Sequence, residues 1–353
     1  MGLSKGTLTF TRYRVVGTLP DARADFMDKQ IKVFAFRELS AGTDEKAQGW
    51  TSLDNVLDTA FEYANYSVGN YYAFSLRVDR RVVPPALMKL RVLKAEQEFL
   101  AEKGLKKLYK GQREDIRETV KLGLISRAQP VPSFYEVCWS PSGEWLLFGS
   151  LTEKVNEDFK GLFKQSFDLP LSPFLPWNPD SLPDDMILPG REFLTWLWFK
   201  SEERGGSIML PDMGGDIEMI FLRKIVLESG EGEYAETVAC RGLHADLEEG
   251  KSALRKGKKV TEARIQLGTG DERFEFTFRA DTFSFQSLKL PVPTDGEEED
   301  QEGKLLERIY LIEIVMKTME NLFALFLKRR TSPEWESEEL PLMKKWIEKA
   351  VRD

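Results

Sequence analysis

The chain has 353 residues, 42% of them hydrophobic, and carries 50 Lys and Arg against 58 Asp and Glu for a formal net charge of -8. That length accommodates one large domain or two to three smaller ones with cores of their own, and the acidic balance argues against indiscriminate binding to polyanions. The most apolar long segment, Leu305 to Leu327, is broken by Glu307, Arg308, Glu313, Lys317 and Glu320, which excludes a bilayer crossing, and the opening "MGLSKGTLTFTRYRVV" alternates like a strand and gives no sign of export, so a cytoplasmic protein with no membrane partner is expected.

In chain order, "GTLTFTRYRVV" predicts a strand and "DARADFMDKQIKVFAF" a helix with Phe26, Ile31 and Phe34 inward. "NYYAFSLRVDRRVV" predicts a second long strand. The pattern then changes to helical. In "VVPPALMKLRVLKAEQEFLAEKG", Pro84 and Pro85 mark a start, Leu87, Leu90, Leu93 and Leu100 share a face, and Gly104 is a stop. A second helix follows Gly111, with Ile116, Val120 and Leu124 on one face and Arg113, Arg117 and Lys121 on another. Strands resume in "SFYEVCWSPSGEWLLFGS", a hairpin turning on Ser140-Pro141-Ser142-Gly143. The helical pair, 79–127, is therefore an insertion between 1–78 and 128–170. The Pro-rich connector "DLPLSPFLPWNPDSLPDD" marks a boundary to a second unit, 171–353. There "FLTWLWF" reads as core, and "ARIQLGTGDERFEFTFRADTFSF" as a hairpin with Phe274, Phe276 and Phe278 on one face. "DGEEEDQEG" is an exposed acidic loop before a long helix, about 303–330, and a short amphipathic tail. On that helix Leu305, Ile309, Ile312, Val315, Met316, Met319, Leu322, Phe323 and Phe326 form a face wide enough for core and subunit interface together.

Charge is spread unevenly. Arg77 to Arg127 holds 14 cations against 7 anions, and "KGLKKLYKGQR" puts five cations and no anion into eleven residues. The candidate phosphate-binding cations there are Lys89, Lys94, Lys103, Lys106, Lys107, Lys110, Arg113, Arg117 and Lys121, long arms that neutralise a phosphate backbone without reading bases. Ordinary solvated ion pairs, such as Glu114 with Arg117 and Glu118 with Lys121, are the competing reading. Tyr109 serves either helix packing or stacking on a base. A second cluster, "EEGKSALRKGKKVTEAR", contributes Lys251, Arg255, Lys256, Lys258 and Lys259 as candidates, with edge-strand lysines as its alternative. Lys328, Arg329 and Arg330 complement a helix dipole.

Catalytic and metal chemistry have little support. His244 is the only histidine, Cys138 and Cys240 form neither a pair nor a metal motif, and no glycine-rich phosphate loop is present. The acidic pairs Asp184-Asp185, Glu248-Glu249 and Glu297 to Asp300 leave a magnesium-dependent nuclease as an alternative.

Several segments together resemble the bacterial recombination-associated RdgC family. They are Gly49-Trp50, "VVPPALMKLRVLKAEQEFLAEKGLKKLYKGQREDIRETVKLGLISRA", "FLTWL" at Phe193 to Leu197, "LEEGK" with "KVTEARIQL", and "IVMKTMENLFALFL", in an order and spacing that cover nearly the whole chain. The resemblance implies an α+β fold with a central portion, an inserted helical tip and a larger C-terminal base, closed as a ring-shaped homodimer. It further implies duplex DNA passing through a positively lined hole with little sequence preference and a nucleoid role restraining the RecA recombinase. Together with the residue reading, the expectation is a protein without enzyme activity, cofactor or metal. A protein-binding regulator whose basic tip docks on an acidic partner, such as the recombinase, is the third reading.

Overall fold

The computed structural model describes residues 2–40, 42–210, 215–230, 235–242, 248–291 and 300–348. The first half runs β1 (Leu8–Val15), α1 (Arg23–Val33), β2 (Lys46–Ser52), β3 (Ser67–Val68), β4 (Tyr71–Arg81), α2 (Pro85–Lys103), α3 (Lys110–Ile125), β5 (Pro130–Ser140), β6 (Trp145–Phe148), α4 (Glu153–Phe167) and β7 (Leu171–Pro173). The second half runs α5 (Pro189–Glu202), β8 (Ser207–Leu210), β9 (Gly215–Glu228), β10 (Thr237–Arg241), α6 (Glu248–Arg255), β11 (Lys259–Thr269), β12 (Glu272–Arg279), β13 (Ser284–Lys289), α7 (Gln301–Arg330), a π-turn at Trp335–Glu339 and α8 (Leu340–Glu348). The fold class is mixed α and β, with a 13-stranded antiparallel sheet in which ten strands run in the order β10-β9-β11-β12-β13-β1-β6-β5-β4-β2, while β3 pairs with β4, β7 with β1 and β8 with β9 off that path.

β1 is the seam. Its first residues pair with β13, Leu8 opposite Leu288 and Phe10 opposite Phe285, and its later ones pair with β6, Thr11 opposite Phe148 through Arg14 opposite Trp145. Side chains alternate across a strand, so Leu8 and Phe10 enter one core while Tyr13 enters the other. The Tyr13 core lies between α1, α4 and the first-half strands. Phe159 of α4 stacks on Phe148 at 3.8 Å and 5°, Trp50 and Phe163 close around it, and the Trp50 indole N–H donates to Ser166 Oγ at 2.9 Å. Each such ring stabilises the fold by roughly 2–3 kcal/mol through burial. Gly49 is needed beside Trp50: a Cβ there would stand 2.4 Å from the Phe36 backbone. On α1 it is Met27, not Phe26, that is fully buried with Ile31, because the i, i+4 pair faces the sheet and Phe26 lies at its margin.

The other core gathers α5, α7, the second-half strands and the reverse face of the first-half strands, through Ala73, Cys138, Trp145 and Leu147. Phe274, Phe276 and Phe278 all point into it, as their spacing predicts. So do all nine apolar residues expected on α7. The expectation of shared core and interface duty is therefore corrected. That face is consumed within one chain, because α7 is covered by both the sheet and α5.

The tail after Thr331 packs as part of this core. Trp346 meets Trp198 edge-on at 5.1 Å, and Trp335 meets Phe326 at 6.0 Å. β11 lies between β9 and β12, so the lysines at its start do not guard a sheet edge. Near the chain start, Arg308 of α7 donates to the carbonyls of Leu3 at 2.8 Å, Gly2 at 3.1 Å and Gly6 at 2.8 Å. Among the described residues no helix is long and apolar enough to cross a membrane.

Candidate nucleic-acid interface

The helical insertion leaves the sheet between two paired strand ends, Arg81 of β4 opposite Pro130 of β5. Pro84 is extended and Pro85 opens α2, where a missing N–H costs nothing. Gly104, at φ 63°, ends the helix in the left-handed region that a side chain resists. Leu108 then tucks between the helices, 5% exposed, and Tyr109 caps α3, its N–H donating to Gln112 Oε1 at 3.0 Å. Ile125 anchors the root of α3. None of the residues of α2 is buried, and Leu87, Leu90 and Leu93 are exposed. The side towards α3 is instead carried by half-buried Met88, Val92, Ala95 and Phe99. The hairpin is a thin two-helix projection with most side chains in water.

Its cations are correspondingly free. Lys89, Lys106, Lys107, Arg113 and Arg117 are exposed and, among the described residues, have no ion-pair partner. Lys94 stands 3.7 Å from Glu98, Lys103 3.4 Å from Glu102 and Lys110 3.9 Å from Glu114, all solvated contacts of small value. Lys121 is held by Glu45 at 2.7 Å, a hydrogen bond and charge that push its ammonium pKa up. At the elbow a groove of about 590 Å³ is lined by Val92, Glu96, Lys107, Leu108, Tyr109, Lys110, Arg113, Glu114 and Arg117.

The second cluster does not form a matching tract. Lys251 is buried, its Nζ 2.9 Å from Glu202 and 5.0 Å above the Trp346 ring. Lys258 is buried, 2.9 Å from the Glu236 carboxylate and 3.0 Å from its carbonyl. Lys259 pairs with Glu192 at 2.5 Å, and Arg255 Nε donates to the Ile347 carbonyl at 3.1 Å. Lys256 and Arg255 stand exposed without an ion pair among the described residues. At Lys251, Lys258 and Lys259 a phosphate would have to displace a carboxylate that already pairs with each.

The structure also supplies cations that sequence spacing did not single out. At the hairpin root Lys46, Arg80, Arg81 and Lys154 line one cleft with Lys121, already a candidate, and with Glu45 and Asp158. Asp158 is shared, 2.8 Å from Lys46 and 2.8 Å from Arg80, while exposed Lys154 has no ion pair among the described residues. The Arg80-Arg81 dipeptide was the available signal; Lys46 and Lys154 come from separate elements.

Among the described residues no three His, Cys, Asp or Glu side chains converge to hold a metal ion. Asp185 is paired with Arg330 at 2.5 Å, Glu248 and Glu249 sit in the first turn of α6, and Asp300 caps α7 by accepting from the Gly303 N–H at 2.7 Å. His244 and residues 297–299 lie outside the described residues.

Residues 10–183 match the family model described as "Putative exonuclease, RdgC". Over that span the chain belongs to the RdgC family. The resemblance legible in the sequence ran further, to α7. The RdgC match runs from within β1 through β7 with the whole hairpin and ends before α5, so every hairpin candidate lies inside it and every cation of the second cluster outside. RdgC membership points to a DNA-binding role connected with recombination. No curated protein matches the sequence.

Proposed function

We propose that the protein is a non-enzymatic, largely sequence-independent binder of duplex DNA, a DNA-encircling homodimer of the nucleoid that restrains a RecA-type recombinase. The observation that carries this reading is the hairpin: five exposed cations without ion-pair partners among the described residues, on a projection with little core of its own, in a chain of net charge -8. An acidic body repels a polyanion everywhere except where such a tract faces it, and this confines contact to one surface. Flexible lysine and arginine arms at one-turn spacing meet phosphates and leave bases unread, so sequence tolerance follows. Two hairpins in a two-fold dimer would line the passage of a ring.

The test is a gel shift with several unrelated duplexes across a salt series, with and without magnesium, beside sedimentation of the free protein. Expected are similar affinities for all duplexes, a steep loss of affinity with salt and a dimer. Strong preference for one sequence with a shallow salt slope would refute the reading. The word exonuclease in the family description favours a nuclease as the second reading, and magnesium-dependent loss of the DNA would support it instead. Sedimentation as a 40.5 kDa monomer at micromolar concentration would remove the ring.

A further inference from the structure

We infer that the groove at the hairpin elbow holds one unpaired nucleotide of single-stranded DNA, with Tyr109 stacked on its base and Lys107, Arg113 and Arg117 on the flanking phosphates. This rests on the reading of the hairpin as a DNA-binding element. Leu108 and Tyr109 are adjacent but do different things. Leu108 is 5% exposed and closes the space between α2 and α3, whereas Tyr109 is 75% exposed and adds almost nothing to packing. The elbow needs one apolar plug and has it in Leu108.

The Tyr109 backbone is nevertheless fixed, in the extended region at φ -79° and ψ 161°, with its N–H bound to Gln112 Oε1 at 3.0 Å. A ring on a fixed backbone with two side-chain torsions loses little entropy when something stacks on it. The groove beside it, about 590 Å³, is of the size that takes a small ligand, and Val92 and Leu108 contribute apolar surface. Four cations line the same groove against two carboxylates, Glu96 and Glu114, leaving a net positive wall for a phosphodiester.

An aromatic face beside cations is the arrangement that retains single strands. Every base offers a π face, and the cations follow the backbone. In a duplex that face is already stacked on the neighbouring base pairs, so Tyr109 would gain nothing from it. The elbow thus prefers unpaired DNA, while the remaining hairpin cations serve duplex and single strand alike.

The test measures fluorescence anisotropy with a labelled oligo(dT) and with a labelled duplex of equal length, at one salt concentration. Tyr109→Ala should weaken oligo(dT) binding by about 5- to 150-fold, the range for loss of one stacked base. Tyr109→Trp should restore it, and duplex affinity should stay within about twofold. An unchanged melting temperature checks that the exposed substitution leaves the fold intact. If Tyr109→Ala binds oligo(dT) like the parent, or weakens duplex to the same degree, the nucleotide site is wrong while the hairpin reading stands. If the parent protein binds neither DNA, the hairpin reading itself fails.

Discussion

The hairpin's share of DNA binding is measurable through salt. Replacing Lys106, Lys107, Arg113 and Arg117 by Gln removes four exposed cations that have no ion pair among the described residues, so no partner is stranded by the change. Each phosphate contact contributes about 0.9 to the slope of log affinity against log salt, so four contacts account for about 3.6 per subunit. Over the fourfold range from about 50 to 200 mM that slope corresponds to roughly a 150-fold fall in affinity, which the parent should show and the variant should lack. The assay is duplex binding by anisotropy at several salt concentrations, with thermal unfolding as the check on fold. A control variant with the same charge change, at exposed Lys328, Arg329, Lys344 and Lys345, sits in the last turn of α7 and midway along α8. Equal slopes for the hairpin variant and the parent would refute the placement of the phosphates. Equal losses from both variants would mean that net charge, not a located tract, governs binding.

Lys251→Ala should leave DNA affinity unchanged and lower stability in urea by about 2 kcal/mol, because it removes a buried charge-assisted bond to Glu202; an affinity loss without a stability loss would return Lys251 to the interface. Trp346→Ala should cost about 3–5 kcal/mol by opening a cavity against Trp198 and Phe199, read as a lower urea midpoint. An unshifted midpoint would show the tail to be dispensable. At Asp58, burial pushes the carboxyl pKa up, but the Ala60 N–H at 2.8 Å, the Asn65 amide at 2.6 Å and the Phe61 N–H at 3.3 Å outweigh it and hold the pKa below the usual range. A lowered folded pKa gives stability that is full above the ordinary aspartate value and lost as pH falls through the folded one. Asp58→Asn should therefore be destabilising at pH 7 and converge on the parent in acid, and a gap in melting temperature that does not narrow would contradict the assignment.

Periodicity carried the elements whose contacts are local or whose face is wide. The nine apolar positions of α7 and the alternate phenylalanines of β12 each leave one orientation that buries them. On α1 the pattern was shorter, and a rotation of one residue decided between Phe26 and Met27. The basic hairpin was legible because its helices project from the core and few of its charges meet a distant partner. The second cluster was not: Lys251 finds Glu202, 49 positions away, and Lys258 finds Glu236, 22 positions away, pairings that no count of charges along the chain reveals. The root cleft was hidden for the same reason, since Lys46, Arg80 and Lys154 meet only after β2, β4 and α4 pack.

The seam at β1 bears on how the protein is made. A ribosome delivers Leu8 and Phe10 long before their partners Leu288 and Phe285, and the reverse face of the first-half strands waits for α7. At ordinary synthesis rates of about 5–20 residues per second, the interval between β6 and the end of α7 lasts on the order of ten seconds or more. During it the nascent first half exposes Ala73, Cys138, Trp145 and Leu147 beside an unfilled strand edge, a sticky surface that a holding chaperone would shield. Cleavage or early termination between the halves would strand that surface permanently, so the family-matched portion does not contain all that is needed to close its own sheet.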